Sequence, residues 1–398
     1  MRALLLIVHR WAGLTVAFVL VVTGLTGAVL PYQDQLRSLT APEIWNVEKP
    51  NPDARPLSGL EMMRLAEAYS GGTVSYIELV PKPDHAFSVF VGPGPGGAPA
   101  DYDQVFIDPY TSKIRAAVRY GDLKDGAINL VPFLIGFHYS LAAGLWGSWI
   151  LGVAALIWCG LCVAGFFLTL PRSNGGWRET FRLWRGAWGI RRRQGIQVFA
   201  FDLHRAAGLW LWPMMLVFAW SAVAFNLDGV HHPVQRFLGA QGLYRPIDNP
   251  APAVGKAMSP ERAEVLGRAL MAKEAQQRGF TIRAPEALSF RPYAHLIGYY
   301  ARTSLDGPTD QGSTVVWFDE VSGREVAFER PFGTTAADAV DKATRMLHTA
   351  ALFGWPYKLF VSFFGLLTAA TAIAGVYMWI RRSDKRPRKV ASARVPAQ

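Results

Sequence analysis

Long apolar runs and segments of mixed polarity alternate along this chain of 398 residues. Four runs, at about 11–31, 148–170, 206–226 and 359–380, carry no charged side chain, and each reaches the roughly 20 apolar residues that a helix needs to cross a bilayer. The first run is longer than the apolar core of a cleaved signal peptide, and no small-residue cleavage motif follows it. The pattern predicts an integral membrane protein, mainly α-helical, with four transmembrane helices.

The two long segments outside these runs have the patterns of small α+β modules. Each begins with a helix, predicted at 57–70 in the first segment and at 259–277 in the second, where Ser259 is a suitable N-cap and Pro260 suits the first helical position. Short β-rich stretches bounded by turn residues follow each helix. The predicted strands are 74–80, 86–91 and 105–111 in the first segment, and 288–291, 296–303 and 314–318 in the second. We expect each segment to pack its helix on an antiparallel sheet.

These patterns divide the chain into eight parts. In order, they are transmembrane helix 1 (1–31), a first external module (32–135), a histidine segment with transmembrane helix 2 (136–171), a basic loop (172–198), transmembrane helix 3 (199–227), a second external module (228–345), a histidine segment with transmembrane helix 4 (346–381) and a basic tail (382–398).

The net charge of +11 is concentrated in the loop and the tail. Residues 171–195 hold seven arginines against Glu179, and the tail from Arg381 holds seven basic residues against Asp384. Lysine and arginine concentrate on the cytoplasmic side of membrane spans. Both termini and the loop are therefore expected in the cytoplasm, with the two modules outside, and the charge indicates topology rather than nucleic-acid binding.

The chain repeats itself. His9 stands in the motif Val8–Leu14, and His204 stands at the same place in Leu203–Leu209, 195 positions later. Each motif reads His-Arg-x-x-Gly-Leu and opens an apolar run. A histidine at the end of a spanning helix costs free energy unless it has a partner, so its presence in both halves indicates a functional site.

A second pair of histidines shows the same repetition at an offset of 210 positions. His138 matches His348, and Gly165 matches Gly375, in segments that lead into the second and fourth runs. Each half therefore consists of a span, an external module, a histidine, a second span and a basic end. The predicted topology puts His9 and His204 at the cytoplasmic side and His138 and His348 at the outer side.

Two imidazoles at one depth on two helices suit haem, whose iron takes axial ligands on opposite faces. We therefore expect two haem b groups, with His9 and His204 as the iron ligands of one and His138 and His348 as the ligands of the other. Arg10 and Arg205 follow the first pair of ligands and match haem propionates, since a guanidinium pairs with a carboxylate through two hydrogen bonds.

Plainer interpretations of these polar groups stay open. A single interfacial histidine more often reaches the headgroups, and imidazole also binds zinc, copper or nickel, although zinc normally takes four ligands. Asp202 is either an acceptor for the ring N–H of His204 or a surface aspartate. Cys159 and Cys162 are favoured as packing residues over a redox pair or a soft metal site. The adjacent His231 and His232 are expected in an exposed loop, where they are incidental, form an iron-entry site or assist the outer haem.

The chain resembles the PepSY-associated transmembrane family over about 5–382. The resemblance rests on the two His-Arg-x-x-Gly-Leu motifs, the two His-x5-Gly motifs and the paired turns that begin at Asp108 and Asp319. Within the family the chain is most similar to inner-membrane ferric-siderophore reductases of Gram-negative bacteria. The resemblance implies four spans, two periplasmic PepSY-like modules and haem bound between helices. The chain departs from the family pattern at Trp220-Ser221-Ala222, in place of a Thr-Gly pair, and at Ser112, in place of a turn glycine.

The combined expectation is an inner-membrane di-haem oxidoreductase that passes electrons to a periplasmic ferric siderophore and releases the iron by reduction. No nucleotide-binding fingerprint occurs, so the electron donor is expected to be a membrane quinol or a separate reductase. Two other classes compete with this interpretation. One is a regulatory PepSY-type protein that binds a periplasmic partner without redox activity, and the other is a transporter, which the uncharged interiors of the runs disfavour.

Overall fold

The computed structural model describes residues 1–173, 175–191, 193–241, 247–309 and 314–383. Most of the expected basic tail and Arg192 of the basic loop lie outside these ranges. Thirteen α-helices lie within the described ranges. They are α1 (Arg2–Val29), α2 (Gln33–Thr40), α3 (Pro42–Trp45), α4 (Gly59–Ser70), α5 (Leu130–Ser140), α6 (Gly144–Thr169), α7 (Trp177–Trp184), α8 (Ile196–Trp210), α9 (Trp212–Asn226), α10 (Asp228–Phe237), α11 (Pro260–Arg278), α12 (Ala336–His348) and α13 (Gly354–Ser383).

Eight strands form two antiparallel sheets in the described part of the chain. The strands are β1 (Tyr76–Glu78), β2 (Phe87–Phe90), β3 (Gln104–Ile107), β4 (Ile114–Val118), β5 (Ile282–Arg291), β6 (Leu296–Thr303), β7 (Thr314–Asp319) and β8 (Glu325–Glu329). One sheet has the order β1-β5-β6-β7-β8 and the other has the order β2-β3-β4. The fold is therefore mainly helical with two sheets, as the sequence predicts.

Three helical stretches are long and apolar enough to cross a membrane: Arg2–Thr40, Gly144–Thr169 and Gly354–Arg381. A fourth span exists if α8 and α9 count as one, since together they pass the same test but are bent by 73°. The single transmembrane helix expected over 199–227 is therefore two helices joined at a bend. The chain has three candidate spans, or four with the broken one, among its described residues.

Pro213 explains the break between α8 and α9. Proline has no N–H to donate to the carbonyl four residues earlier, and its ring clashes with that carbonyl, so a helix does not run straight through it. The α8 helix ends at Trp210, and α9 begins again one residue before the proline. The indole of Trp212 at this break donates a hydrogen bond of 3.0 Å to the carbonyl of Cys162 in α6.

The chain forms two compact units. The first, here called the helical unit, comprises Met1–Ala28, Val153–Trp220 and the chain from Phe363. In it, α1 packs on α6 through Val16 and Leu161 and meets α13 at a close crossing. A Cβ added at Gly24 would lie 2.7 Å from the carbonyl oxygen of Gly365, so this crossing requires small residues, as helix contacts in membranes often do.

The second unit, here called the mixed unit, comprises Val29–Gly152 and Ser221–Ser362 and contains both sheets. The two external segments do not form separate modules in it. Strand β1 of the first segment pairs with β5 of the second, with Ile77 opposite Leu288. Met62 of α4 and Met271 of α11 are both fully buried in one shared core. The expectation of a helix on a sheet in each segment holds, but burial of apolar surface joins the two segments in one body.

The paired aspartate turns have the same geometry in both segments. Asp108 accepts hydrogen bonds from the N–H groups of Tyr110 and Thr111, and Asp319 does the same two and three residues on, at Val321 and Ser322. Each turn ends in a left-handed residue, Ser112 with φ of 64° and Gly323 with φ of 74°. The serine that departs from the family pattern thus adopts the backbone conformation of the glycine that it replaces.

Candidate functional site

The structure brings the predicted first histidine pair together within the helical unit. The ring centroids of His9 on α1 and His204 on α8 are 6.2 Å apart, and the ring planes are inclined by 79°. Both side chains are half-buried. The two copies of the His-Arg-x-x-Gly-Leu motif therefore face each other across the bundle.

Each histidine of this pair lies against a glycine of another helix. A Cβ added at Gly165 would lie 3.1 Å from Cε1 of His9, and one added at Gly375 would lie 3.2 Å from Cε1 of His204. These are the two glycines that match at the second repeat offset. Their missing side chains leave the space that the imidazole rings occupy.

The ring nitrogens of the first pair have different partners. Nδ1 of His204 lies 2.8 Å from the carbonyl oxygen of Thr371, which accepts its N–H and leaves Nε2 as the nitrogen with a lone pair. Nδ1 of His9 is buried and has no hydrogen-bond partner among the described residues. Thr371 therefore orients one ring of the pair, a role that the sequence did not reveal because the contact joins residues 167 positions apart.

Asp202 has neither of its two expected roles, since it does not orient His204 and does not lie on the surface. Its carboxylate is fully buried rather than on the surface. It binds the guanidinium of Arg191 at 2.8 Å and that of Arg205 at 3.0 Å. Asp202 thus pairs with Arg191 of the basic loop and with Arg205 of α8, which explains how a carboxylate is accommodated in the interior.

The two arginines next to the first pair are in different situations. Arg205 is held by Asp202 and donates from Nε to the carbonyl of Ala187 at 3.1 Å. A propionate would have to share that guanidinium. Arg10 lies over the ring of Trp11 at 5.9 Å, and its Nε is buried without a hydrogen-bond partner in the described part of the chain. Of the two, Arg10 has the buried donor that a carboxylate would satisfy.

The second histidine pair forms in the mixed unit with nearly the same geometry. The ring centroids of His138 on α5 and His348 on α12 are 6.3 Å apart, and the planes are inclined by 77°. Nδ1 of His348 lies 2.6 Å from the hydroxyl of Ser221. The Trp-Ser-Ala departure from the family pattern therefore supplies a direct partner to one of the predicted ligands.

Sharp loops follow both histidines of the second pair. Leu141, Ala142 and Gly144 have positive φ after His138. Ala350, Phe353 and Gly354 have positive φ after His348. Positive φ costs free energy in residues that have a Cβ and tends to persist at functional sites. The His-x5-Gly motif thus turns the chain sharply between each histidine helix and the helix that follows it.

The distance between the two rings of each pair can be compared with the distance that a shared iron requires. A metal–imidazole bond is about 2.0–2.1 Å long and the nitrogen lies about 1.1 Å from its ring centroid, so two imidazoles on opposite faces of one iron have centroids roughly 6.3 Å apart. The structure has 6.2 and 6.3 Å. A Cβ at Gly13 or Gly208, one turn beyond His9 and His204, would meet nothing within 4 Å. The residues present therefore fit a bis-histidine haem.

Several remaining polar groups are placed differently from the sequence expectation. His231 and His232 lie in α10 rather than in a loop, and His231 is fully buried against Asp341 at 2.8 Å. Cys159 is half-buried and Cys162 is buried, both as free thiols. No group of three or more His, Cys, Asp or Glu able to hold a metal ion occurs in the ranges that the structure describes. Each histidine pair offers two nitrogen ligands.

The helices that are long and apolar enough to span a membrane, together with the mixed unit and the two histidine pairs, define the class as a membrane protein. The chain belongs to the family described as the PepSY-associated TM region, whose family model matches residues 6–382. The match covers both halves of the repeat and all four predicted ligands. A search of curated proteins gives no match to this sequence.

Proposed function

We propose that this protein is an inner-membrane di-haem oxidoreductase that passes electrons to a periplasmic ferric siderophore and releases the iron by reduction. The observation that carries the proposal is the repetition of one histidine geometry, with centroid distances of 6.2 and 6.3 Å and nearly perpendicular rings. Haem held by two imidazoles supplies one-electron transfer without an open coordination position. A six-coordinate carrier suits a protein that delivers electrons rather than one that binds oxygen.

The chain's own residues hold and orient the cofactor in this proposal. His9 and His204 would supply the axial nitrogens of the first site, and the carbonyl of Thr371 fixes the tautomer of His204. The buried Nε of Arg10 would bind a propionate, which removes an unsatisfied donor from the interior. His138 and His348 would supply the nitrogens of the second site, where Ser221 orients His348.

The direction of electron flow follows from the charge distribution. Arginine is concentrated in 171–195, where α7 carries Arg178 and Arg182, and this bias supports a first site near the cytoplasmic face. The second site would then lie at the periplasmic face, with the mixed unit around the acceptor. Membrane quinol or a separate reductase is the proposed donor. Reduction to iron(II) weakens the hold of the siderophore's hard oxygen ligands and frees the iron.

The test is electron delivery in proteoliposomes of known orientation. A reduced quinol is supplied, and release of iron(II) from a ferric siderophore is followed with a ferrous chelator. The proposal predicts iron(II) formation by the wild-type protein and its loss in His348→Ala, with His295→Ala as the control because His295 is half-exposed and pairs with Glu320 on the surface. Equal rates in all three proteins and in empty vesicles would refute the reductase assignment. That result would favour a regulatory PepSY protein.

A further inference from the structure

A buried charged set lies next to the second histidine pair in the mixed unit. His231 of α10 and Asp341 of α12 are 0% and 2% exposed, and Nε2 of His231 lies 2.8 Å from the Asp341 carboxylate. The other carboxylate oxygen accepts a hydrogen bond of 3.1 Å from Nε of Arg345. The amide of Gln235 bridges the pair, at 3.2 Å from Asp341 and 3.3 Å from His231.

Contacts connect this set to the predicted iron ligand. Asp341, Arg345 and His348 stand at positions i, i+4 and i+7 of α12, so they share one face of the helix. The guanidinium of Arg345 lies 5.4 Å from the ring centroid of Phe225, whose ring in turn lies 5.4 Å from that of His348. Phe225 therefore contacts both the guanidinium of Arg345 and the ring of His348.

In the first half of the repeat, the positions that match His231, Asp341 and Arg345 are apolar. At the matching offset, Val131 and Ile135 stand where Asp341 and Arg345 stand, while His138 matches His348. Leu36 matches His231 at the first repeat offset. Packing alone does not explain why these buried residues are ionisable. Apolar residues occupy the matching positions in the other half, and a buried ion pair is weak evidence for stability.

We propose that His231, held by Asp341 and Arg345, is a proton-binding site coupled to the second haem. The inference rests on the proposed function, since it requires haem at His138 and His348. Haem held by His138 and His348 would supply a one-electron centre, and the imidazole of His231 would take up a proton to balance the charge of the added electron. Asp341 accepts the hydrogen bond of the protonated ring. Low local polarity strengthens this interaction between charges.

Coupling of this kind is reciprocal: if the electron favours the proton, the proton favours the electron by the same factor. The midpoint potential of the second haem is therefore expected to fall as the pH rises. The steepest slope that one coupled proton allows is a tenfold change in the reduction equilibrium per pH unit, about 59 mV for a one-electron couple. At the first site the buried carboxylate of Asp202 pairs with two arginines rather than with an imidazole, so the first haem is expected to show the smaller slope.

Other charged groups near His231 define the controls. They are Asp228 and His232 on its own helix, Asp338, Lys342 and Arg345 on α12, and Glu329 and Asp306 near Lys342. Burial, and then the neighbouring Arg345, lower the pKa of Lys342 below the ordinary lysine value, so this amine is the rival source of a pH response. Lys342→Met and His232→Gln therefore serve as matched controls.

The experiment is a potentiometric titration of the purified full-length protein at several pH values, followed by the haem absorption bands. The redox transition that is present in the wild type and missing from His138→Ala is assigned to the second haem. His231→Gln, which keeps a hydrogen-bonding side chain but does not titrate, is expected to retain both haems and to lose the pH dependence of that transition. Asp341→Asn is expected to lose it too, while Lys342→Met and His232→Gln keep it.

The outcomes separate this inference from the proposed function. A protein without haem bands refutes the proposed function itself. Haem bands with a potential that does not change with pH in the wild type, or with a slope unchanged in His231→Gln, overturn the proton site and leave the haem assignment intact. Loss of the slope in Lys342→Met would assign the proton to that amine instead. If both His231→Gln and Asp341→Asn fail to fold, the wild-type slope still tests whether a proton is coupled to the haem. The Lys342→Met slope still tests whether Lys342 binds that proton.

Discussion

Substitution of Gly165 by alanine separates helix stability from haem binding. The added Cβ would lie 3.1 Å from Cε1 of His9, closer than an ordinary contact, so the ring has to retreat by a few tenths of an ångström. An imidazole without iron has the freedom to move that far. An imidazole bound to iron does not, because metal–ligand distances tolerate only about 0.2 Å.

Gly165→Ala is expected to change the stability of the helix and the affinity for haem in opposite directions. Alanine in a helix interior is favoured over glycine by about 1 kcal/mol, so the apoprotein is expected to be equally stable or more stable. Displacement of a ligand by changes in its surroundings typically costs about 10- to 100-fold in metal affinity. The variant is therefore expected to fold normally and to lose haem at the first site at limiting haem concentrations.

The assay is a haem titration of detergent-purified protein, with thermal unfolding measured on the same samples. Gly160→Ala is the matched control: it lies on the same helix, five residues earlier, and its Cβ would meet nothing within 4 Å. If Gly165→Ala binds haem as tightly as Gly160→Ala, the iron is not held by His9 in the observed geometry. If both variants lose haem, the effect belongs to the helix and not to the contact.

Four further predictions follow from individual contacts. His9→Ala is expected to remove one haem and His138→Ala the other, as counted by pyridine haemochrome; a variant that loses both or neither would contradict the pairing. Arg10→Ala is expected to weaken haem retention at the first site about tenfold, since a charge-assisted hydrogen bond contributes roughly 1.5 kcal/mol, and an unchanged dissociation rate would exclude the propionate contact. Ser112→Gly is expected to stabilise the mixed unit by about 1 kcal/mol in denaturant unfolding because it removes a left-handed serine; a loss of stability would contradict this. Burial alone would raise the pKa of Asp319, but hydrogen bonds from the N–H groups of Ser322 and Ala253 outweigh it and hold the pKa well below its usual value. The carboxylate therefore contributes stability at pH values above about 4, which is lost as the pH falls through the lowered pKa, and Asp319→Asn is expected to show a weaker acid dependence of unfolding.

Local patterns in the sequence predicted many of the elements and the pairing of the histidines. Strand β6 has the predicted bounds, α11 begins after its Ser259 cap, and both histidine pairs assemble as the repeat requires. These features depend on periodicity, capping and symmetry, which are all readable along the chain.

Contacts between distant residues were not readable in this way. The sequence did not show that the Thr371 carbonyl rather than Asp202 orients His204, or that β1 joins the sheet of the second segment. His231 was expected in an exposed loop, yet it lies within α10, a short helix that contains Pro233 and packs on α12. The apolar run around Pro213 was interpreted as one helix, although a proline at this position breaks it.

The central claim is that the two histidine pairs hold haem, and an absorption spectrum tests it most directly. The protein is purified from cells with ample haem and scanned before and after dithionite. The account predicts a Soret band, sharp low-spin bands on reduction and two haems per chain. A colourless protein, or a spectrum unaffected by replacing both His9 and His138, would contradict it.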